Sequence, residues 1–145
     1  RPMFERVCDV ELELMAVMRE PVSWLGSWYR YRQRPFMEGK PNSTHGISFD
    51  DFVLAYMKGN KPGFADVGSQ FQFMKSQPNG TGITHFFRYE DQPRLQSFLQ
   101  DRLGVVLNLT RENVSPAIEL NLSEDVAQRF KRKFEEEFDL YASIP

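Results

Sequence analysis

LELMAVMREPVSWLGSWYRYRQR, residues 12–34, opens as a short apolar run, breaks at Arg19-Glu20-Pro21 and continues as aromatic residues and arginines. Residues 12–18 are mostly apolar and lie between Asp9 and Pro21, a pattern that predicts a strand buried on both faces of a parallel sheet. A helix is expected next, because proline is suited to a first helical turn, where its missing N–H leaves no hydrogen bond unmade. Trp24, Trp28 and Tyr31 recur at helical spacing and predict one aromatic stripe facing the core. The pattern ends at Arg34-Pro35. In a parallel α/β sheet, ligands bind beyond the carboxyl ends of strands, where the following helix presents unpaired N–H groups and the positive end of its dipole. Arg19 falls at that place, and Ser27 lies two turns into the helix. A guanidinium can grip a phosphate with two parallel hydrogen bonds, and a hydroxyl can add another from a second side. The spacing Arg-x-Pro-x5-Ser therefore marks Arg19 and Ser27 as a candidate phosphate site. An arginine after a strand also has an ordinary use, pairing with Glu20 or capping a neighbouring helix.

Outward from this stretch, Ser48 with Asp51 three positions on resembles a capping pair and predicts a helix over 49–58, with Phe52, Val53 and Tyr56 as its inner face. GNKPG, residues 59–63, is a loop by composition. A short helix is expected from Val67 to Lys75, carrying Phe71 and Met74 and closed by the turn-rich QPNGTG, with Asn79-Gly80 as the turn. ITHFFRY, residues 83–89, is β-branched and aromatic and reads as a second strand. Asp91 is placed to cap a helix starting near Pro93, whose Leu95, Phe98, Leu99 and Leu103 form an apolar stripe ended by Gly104. Ser123 is expected to cap one last helix with Val126, Phe130, Phe134, Phe138 and Tyr141 on one face. Arg1 to Val7 reads as the tail of a helix. With no internal repeat and no long linker, residues 1–145 are read as a single domain.

A chain of 145 residues, 41% hydrophobic and 14% aromatic, is enough to build a real core. A formal charge of −2 and a pI near 5.7 exclude a general polyanion binder, so no nucleic-acid partner is expected and any anion site is local. The single cysteine, Cys8, excludes an intrachain disulfide framework, and without a Cys/His cluster at zinc spacing no metal is expected. No apolar run approaches the roughly 18 residues that cross a bilayer, and the first residues lack a signal peptide's apolar segment, so the chain reads as soluble. Its cysteine usage fits the cytoplasm. Asn42, Asn79, Asn108, Asn113 and Asn121 each head an N-x-[ST] triplet, which leaves a secretory lumen as the other compartment, although Asn, Ser and Thr also gather at turns for backbone reasons and Pro116 directly follows one triplet.

REPVSWLGS, residues 19–27, resembles the 3′-phosphate-binding segment of sulfotransferases that use 3′-phosphoadenosine 5′-phosphosulfate (PAPS), with Arg19 and Ser27 at the matching positions. FRYEDQPRLQSFLQDRLG, residues 87–104, is similar to the strand-plus-helix of bacterial sulfotransferase-family proteins, in which Tyr-Glu-Asp follows the strand. NVSP at 113–116 and DLY at 139–141 are similar to that family's C-terminal part, and GSQFQFM around Gln70 is a weaker match. The resemblance spans most of residues 12–141. It implies an α/β, three-layer P-loop-like fold with a parallel sheet, and transfer of a sulfuryl group from PAPS to a hydroxyl or amine of a small-molecule or glycan acceptor. Arg19 would neutralise the 3′-phosphate and Ser27 would hydrogen-bond it.

One departure from the family bears on the chemistry. Its members open with a strand and a Gly/Ser/Thr-rich loop that holds the 5′-phosphosulfate, and no segment here matches it. Gly59 to Gly63 is no substitute, since Pro62 removes an amide and no helix-opening Ser or Thr follows. The chain is therefore read as a C-terminal portion, incomplete at its N-terminus, that is expected to be inactive alone. No catalytic base is assigned, and neither His45 nor His85 is promoted to that role.

The remaining polar groups have ordinary readings beside functional ones. Arg30, Arg32 and Arg34 are taken as a solvated helix face, with guidance of an anionic acceptor as the other use. Trp24 and Trp28 suit core packing more than purine stacking. Glu90 and Asp91 follow a strand, but adjacent carboxylates seldom converge on one atom and Asp91 has a capping task. His85 is read as a core histidine. His45, in a loop, could border an acceptor site. RFKRKF and the Glu135-Glu136-Glu137 run are assigned to the outside of the last helix, with pairs such as Arg132–Glu136. Two further functions fit the same residues: a non-catalytic remnant or interaction module on this scaffold, and another nucleotide-dependent transferase. Acceptor identity and oligomeric state are not assigned, because acceptor pockets are built by variable loops.

Overall fold

A computed structural model describes residues 2–76, 82–108 and 118–145. Asn79-Gly80, the Asn113 triplet and NVSP with Pro116 lie outside the described residues. Among the described residues the order is α1 (Pro2–Cys8), β1 (Met15–Met18), α2 (Pro21–Tyr31), α3 (Phe49–Tyr56), α4 (Gln70–Met74), β2 (His85–Arg88), α5 (Gln92–Leu103), α6 (Glu124–Lys133) and α7 (Glu135–Ser143). The chain is mixed α/β. β1 and β2 pair in parallel, with Met15 opposite His85 and Met18 opposite Arg88. Two compact units divide the described residues: 2–20, 69–76, 82–107 and 139–145 form the first, and 21–68, 108 and 118–138 the second.

In the first unit, β1 is shorter than the apolar run of residues 12–18 suggests. The amides of Leu12 and Leu14 go to side chains, Glu5 Oε1 at 3.0 Å and Thr84 Oγ1 at 2.7 Å, and so do not enter the ladder. Met15 is exposed while Ala16 and Met18 are buried, so the strand is not covered on both faces along its length. Ala16, Met18, Met74 and Ile144 form the core of this unit, with Phe86, Leu140 and Tyr141 packed against them. α5 starts as expected, the Asp91 carboxylate accepting the Arg94 amide at 3.3 Å, and it ends on Gly104 at φ 64°, a conformation that costs glycine nothing. Of its predicted stripe Leu95 is buried and Leu103 is 60% exposed.

The second unit is built on α2, α3 and α6. Ser48 caps α3 from both directions, its hydroxyl accepting the Asp51 amide at 3.1 Å and donating to the Asp51 carboxylate at 2.6 Å. Phe52, Val53 and Tyr56 are fully buried, as their spacing predicts. Burying each is worth about 1.5 to 3 kcal/mol relative to exposure. The stripe of α2 runs one position from the expected one. Pro21, Leu25 and Tyr29 are buried, Trp24 and Trp28 are half-buried at the margin of the core, and Tyr31 is exposed. The Tyr29 hydroxyl explains the choice, because it donates to the Ile47 carbonyl at 2.7 Å and so satisfies its polar end while its ring packs on Phe49 and Phe52.

The single last helix expected from Ser123 to Tyr141 is two helices. Phe134 leaves helical geometry at φ −118° and ψ 34°, and its ring stacks on Tyr56 with centroids 5.1 Å apart. Glu137 is 2% exposed and not on the outside. Burial lowers the pKa of Lys61, the negative charges of Asp66 and Glu137 raise it, and the positive charge of Lys133 lowers it further. Ser123 contributes no side-chain cap, and its amide instead donates to Asp50 Oδ1 at 2.8 Å. On α6 an i, i+4 ion pair joins Asp125 and Arg129 at 3.5 Å. Among the described residues, no helix is long and apolar enough to cross a membrane.

Candidate functional site

The carboxyl ends of β1 and β2 lie side by side in the first unit. Parallel pairing carries past the last strand residue, since the Tyr89 amide donates to the Met18 carbonyl at 2.7 Å. Arg19 is therefore delivered to the rim of the sheet, where its half-buried side chain lies over the Tyr89 ring, 4.2 Å from the centroid. A guanidinium at this distance over an aromatic ring is held by the attraction of its positive charge to the ring's negative face.

The backbone of Arg19 is held by a residue distant in sequence. Gln70, at the start of α4 and 8% exposed, accepts the Arg19 amide at 3.0 Å and donates to the Arg19 carbonyl at 2.9 Å. The side-chain amide replaces one partner of a β-ladder at the point where the strand has ended. The only sequence hint of this was the weak match around Gln70.

A second clamp fixes the neighbouring residue. Glu90 accepts the Glu20 amide at 3.1 Å on one carboxylate oxygen and the Tyr141 hydroxyl at 3.0 Å on the other. Tyr141 in turn lies under the Arg88 guanidinium, 4.8 Å from its ring centroid, and Arg88 donates to the Ala142 carbonyl at 3.1 Å. Burial pushes the Tyr141 pKa up, the hydrogen bond to Glu90 and the charges of Glu90 and Glu20 add to this, and Arg88 opposes it. Glu90 thus has a structural task, tying the ends of both strands and the C-terminal helix together, and Asp91 has its cap.

Ser27 is half-buried on α2, a helix of the second unit, while Arg19 belongs to the first. The arginines after Ser27 are not the solvated face expected of them. Arg30 Nε donates to the Ile118 carbonyl at 2.8 Å. Arg32 is buried and donates to the carbonyls of Gly63 at 2.6 Å and Asp66 at 3.1 Å, holding the loop after α3. Arg34 stacks on the exposed Tyr31, 4.8 Å from its centroid.

Among the described residues, neither histidine belongs to a group of three or more His, Cys, Asp and Glu side chains that could hold a metal ion. His85 packs against Phe98 with centroids 4.8 Å apart and lies 3.5 Å from Glu13, which is itself paired with Arg102 at 2.8 Å. His45 is exposed, and its Nδ1 is 2.8 Å from the Ser43 hydroxyl. A groove of about 560 Å³ in the first unit is bordered by His85, Arg94, Phe98 and Ile144 and does not include Arg19. In comparisons with known proteins, the chain matches no family model, no curated protein and no solved structure.

Proposed function

We propose that the chain carries the 3′-phosphate anchor of a PAPS-dependent sulfotransferase, with a three-layer P-loop-like fold of which the parallel β1–β2 pair is a part. The reading rests on Arg19, a guanidinium at the carboxyl end of a parallel strand, two positions before a proline-initiated helix that bears Ser27 eight positions on from Arg19. Its support is chemical. Anion sites of α/β proteins sit at this junction, and a backbone clamped on both its N–H and C=O holds the side chain's point of departure fixed before a ligand arrives.

In this reading Arg19 neutralises the 3′-phosphate and Ser27 donates a hydrogen bond to it. Sulfuryl transfer asks a protein for in-line positioning, stabilisation of charge on the equatorial and leaving oxygens, and a base for the acceptor's proton. Arg19 and Ser27 serve the first of these by fixing the nucleotide, so their loss weakens donor binding more than it slows the bond-breaking step. In this reading the 5′-phosphosulfate loop and the base lie outside the segments that resemble the family.

Titration calorimetry with 3′-phosphoadenosine 5′-phosphate, AMP and ATP tests the proposal. AMP differs from the bisphosphate only by the 3′-phosphate. The bisphosphate should bind most tightly, and Arg19→Ala should lower its affinity at least about tenfold while leaving AMP unchanged, the loss of one charged hydrogen bond of roughly 1.5 to 3 kcal/mol. Equal binding of the bisphosphate and AMP, or no binding of the bisphosphate, overturns it.

A further inference from the structure

The basic segment of α6 does not only face water. In the second unit, a groove of about 990 Å³ runs between α3 and α6. Among the described residues, Lys58 just after α3 and Arg129, Arg132 and Lys133 from α6 line it, with Asp51 as the one carboxylate. That carboxylate is already engaged, receiving the Ser48 hydroxyl at 2.6 Å at the start of α3. Lys133 is engaged too, donating to the Met57 carbonyl. Arg129 shares its charge with Asp125 at 3.5 Å. Lys58 and Arg132 are exposed, and the floor between the cations is apolar, made by Leu54, Ala55 and Phe64.

A chain whose formal charge is −2 thus places four cations around one apolar-floored concavity. Like charges so arranged repel one another, and a groove of this kind gains from an occupant that is negative at one end and apolar along its body. An inorganic anion alone meets the cations but leaves the floor wetted. An uncharged hydrocarbon covers the floor but leaves the repulsion.

We propose that the α3–α6 groove binds a small amphiphilic anion, an acidic head group on an aliphatic or aromatic body, with Lys58 and Arg132 receiving the head and Leu54 and Phe64 contacting the body. None of these residues takes part in the donor site proposed above, so this site stands or falls independently of it.

Decyl phosphate, used below its micelle concentration, is the probe, with inorganic phosphate, decanol and decyltrimethylammonium as controls in calorimetry on the full chain. Decyl phosphate should bind at least about tenfold more tightly than any control, and more weakly in 1 M salt, where the screening length falls from about 10 Å to about 3 Å. Lys58→Glu with Arg132→Glu, both on exposed positions that leave the core intact, should remove that preference, and Phe64→Ser should weaken decyl phosphate without changing the response to inorganic phosphate. Decanoate and a naphthalene sulfonate in place of the phosphate separate aliphatic from aromatic bodies. The site is disproved if decyl phosphate binds no better than decanol, or if its affinity survives the double charge reversal in a chain with unchanged circular dichroism.

Discussion

The side-chain amide of Gln70 brackets the backbone of Arg19, accepting its N–H at 3.0 Å and donating to its C=O at 2.9 Å, across 51 positions of sequence. The β1–β2 register ends at Met18 opposite Arg88, so the N–H and C=O of Arg19 lie beyond its last rung and take partners from elsewhere. Gln70 supplies both from one group, with an acceptor and a donor set apart as in a peptide unit.

Gln70→Leu should therefore destabilise the fold by about 1 to 3 kcal/mol, the cost of leaving partly buried backbone groups unsatisfied, read as a lower urea midpoint at unchanged slope. Gln70→Glu adds a signature. At neutral pH its carboxylate faces the Arg19 carbonyl without a proton to donate, and protonation restores the donor, so this variant should recover relative to the parent as pH falls through the carboxyl range. A variant that never recovers would show that the amide's donor role was misjudged.

Tyr141 sets a pH dependence. Its folded pKa is raised, first by burial and then by Glu90. A group raised in this way contributes stability that is complete below its unfolded value, about 10 for tyrosine, and is lost as pH rises through the folded value. Lys61 works in the opposite sense at lower pH, because burial lowers its pKa and stability is gained as pH rises through its folded value toward its unfolded one. The test is therefore a difference: urea midpoints of the parent should fall more steeply than those of Tyr141→Phe above pH of about 10, with the Lys61 contribution common to both. Parallel profiles would remove Tyr141 from the account.

Gly26 is a packing requirement of α2. A Cβ there would come 2.2 Å from Leu120 Cδ1 and 3.4 Å from its Cγ. Alanine gains about 1 kcal/mol in helix propensity over glycine, whereas overpacking a filled site costs about 1 to 3 kcal/mol. Because the nearest atom is the tip of a leucine that can turn aside, Gly26→Ala should cost only about 1 kcal/mol net, and in a Leu120→Ala background it should become stabilising by about the same amount. Equal effects in both backgrounds would mean that the contact with Leu120 is not what the glycine serves.

Much of the local structure was legible because its causes are local. The Ser48–Asp51 cap, the Asp91 cap, the Gly104 stop and the Phe52, Val53 and Tyr56 face each depend on residues within about four positions of one another, the range over which helix chemistry acts. The same logic failed where two local readings competed. Trp24, Trp28 and Tyr31 make a valid stripe, but so do Pro21, Leu25 and Tyr29, and tertiary partners, among them Phe49, Phe52 and the Ile47 carbonyl that receives the Tyr29 hydroxyl, favour the second. The last helix carried an unbroken apolar spacing, and its break falls at Phe134, whose ring stacks on Tyr56 of another helix.

The candidate site divides in the same way. That Arg19 stands where a strand ends and Ser27 two turns into the next helix was written in the spacing of residues 12–34, as was the α/β character, because alternation, proline and helical period act through the chain's own neighbouring bonds. Which groups hold Arg19 and Glu20 in place, that Arg32 is a buried anchor of a loop and that Glu137 lies inside were decided by tertiary structure alone. Gln70 and Arg19 are 51 residues apart, Glu20 and Glu90 are 70 apart, and Arg32 and Gly63 are 31 apart. A polar side chain is drawn inside only when a distant backbone group arrives to satisfy it, and no pattern of neighbours in the chain encodes that meeting.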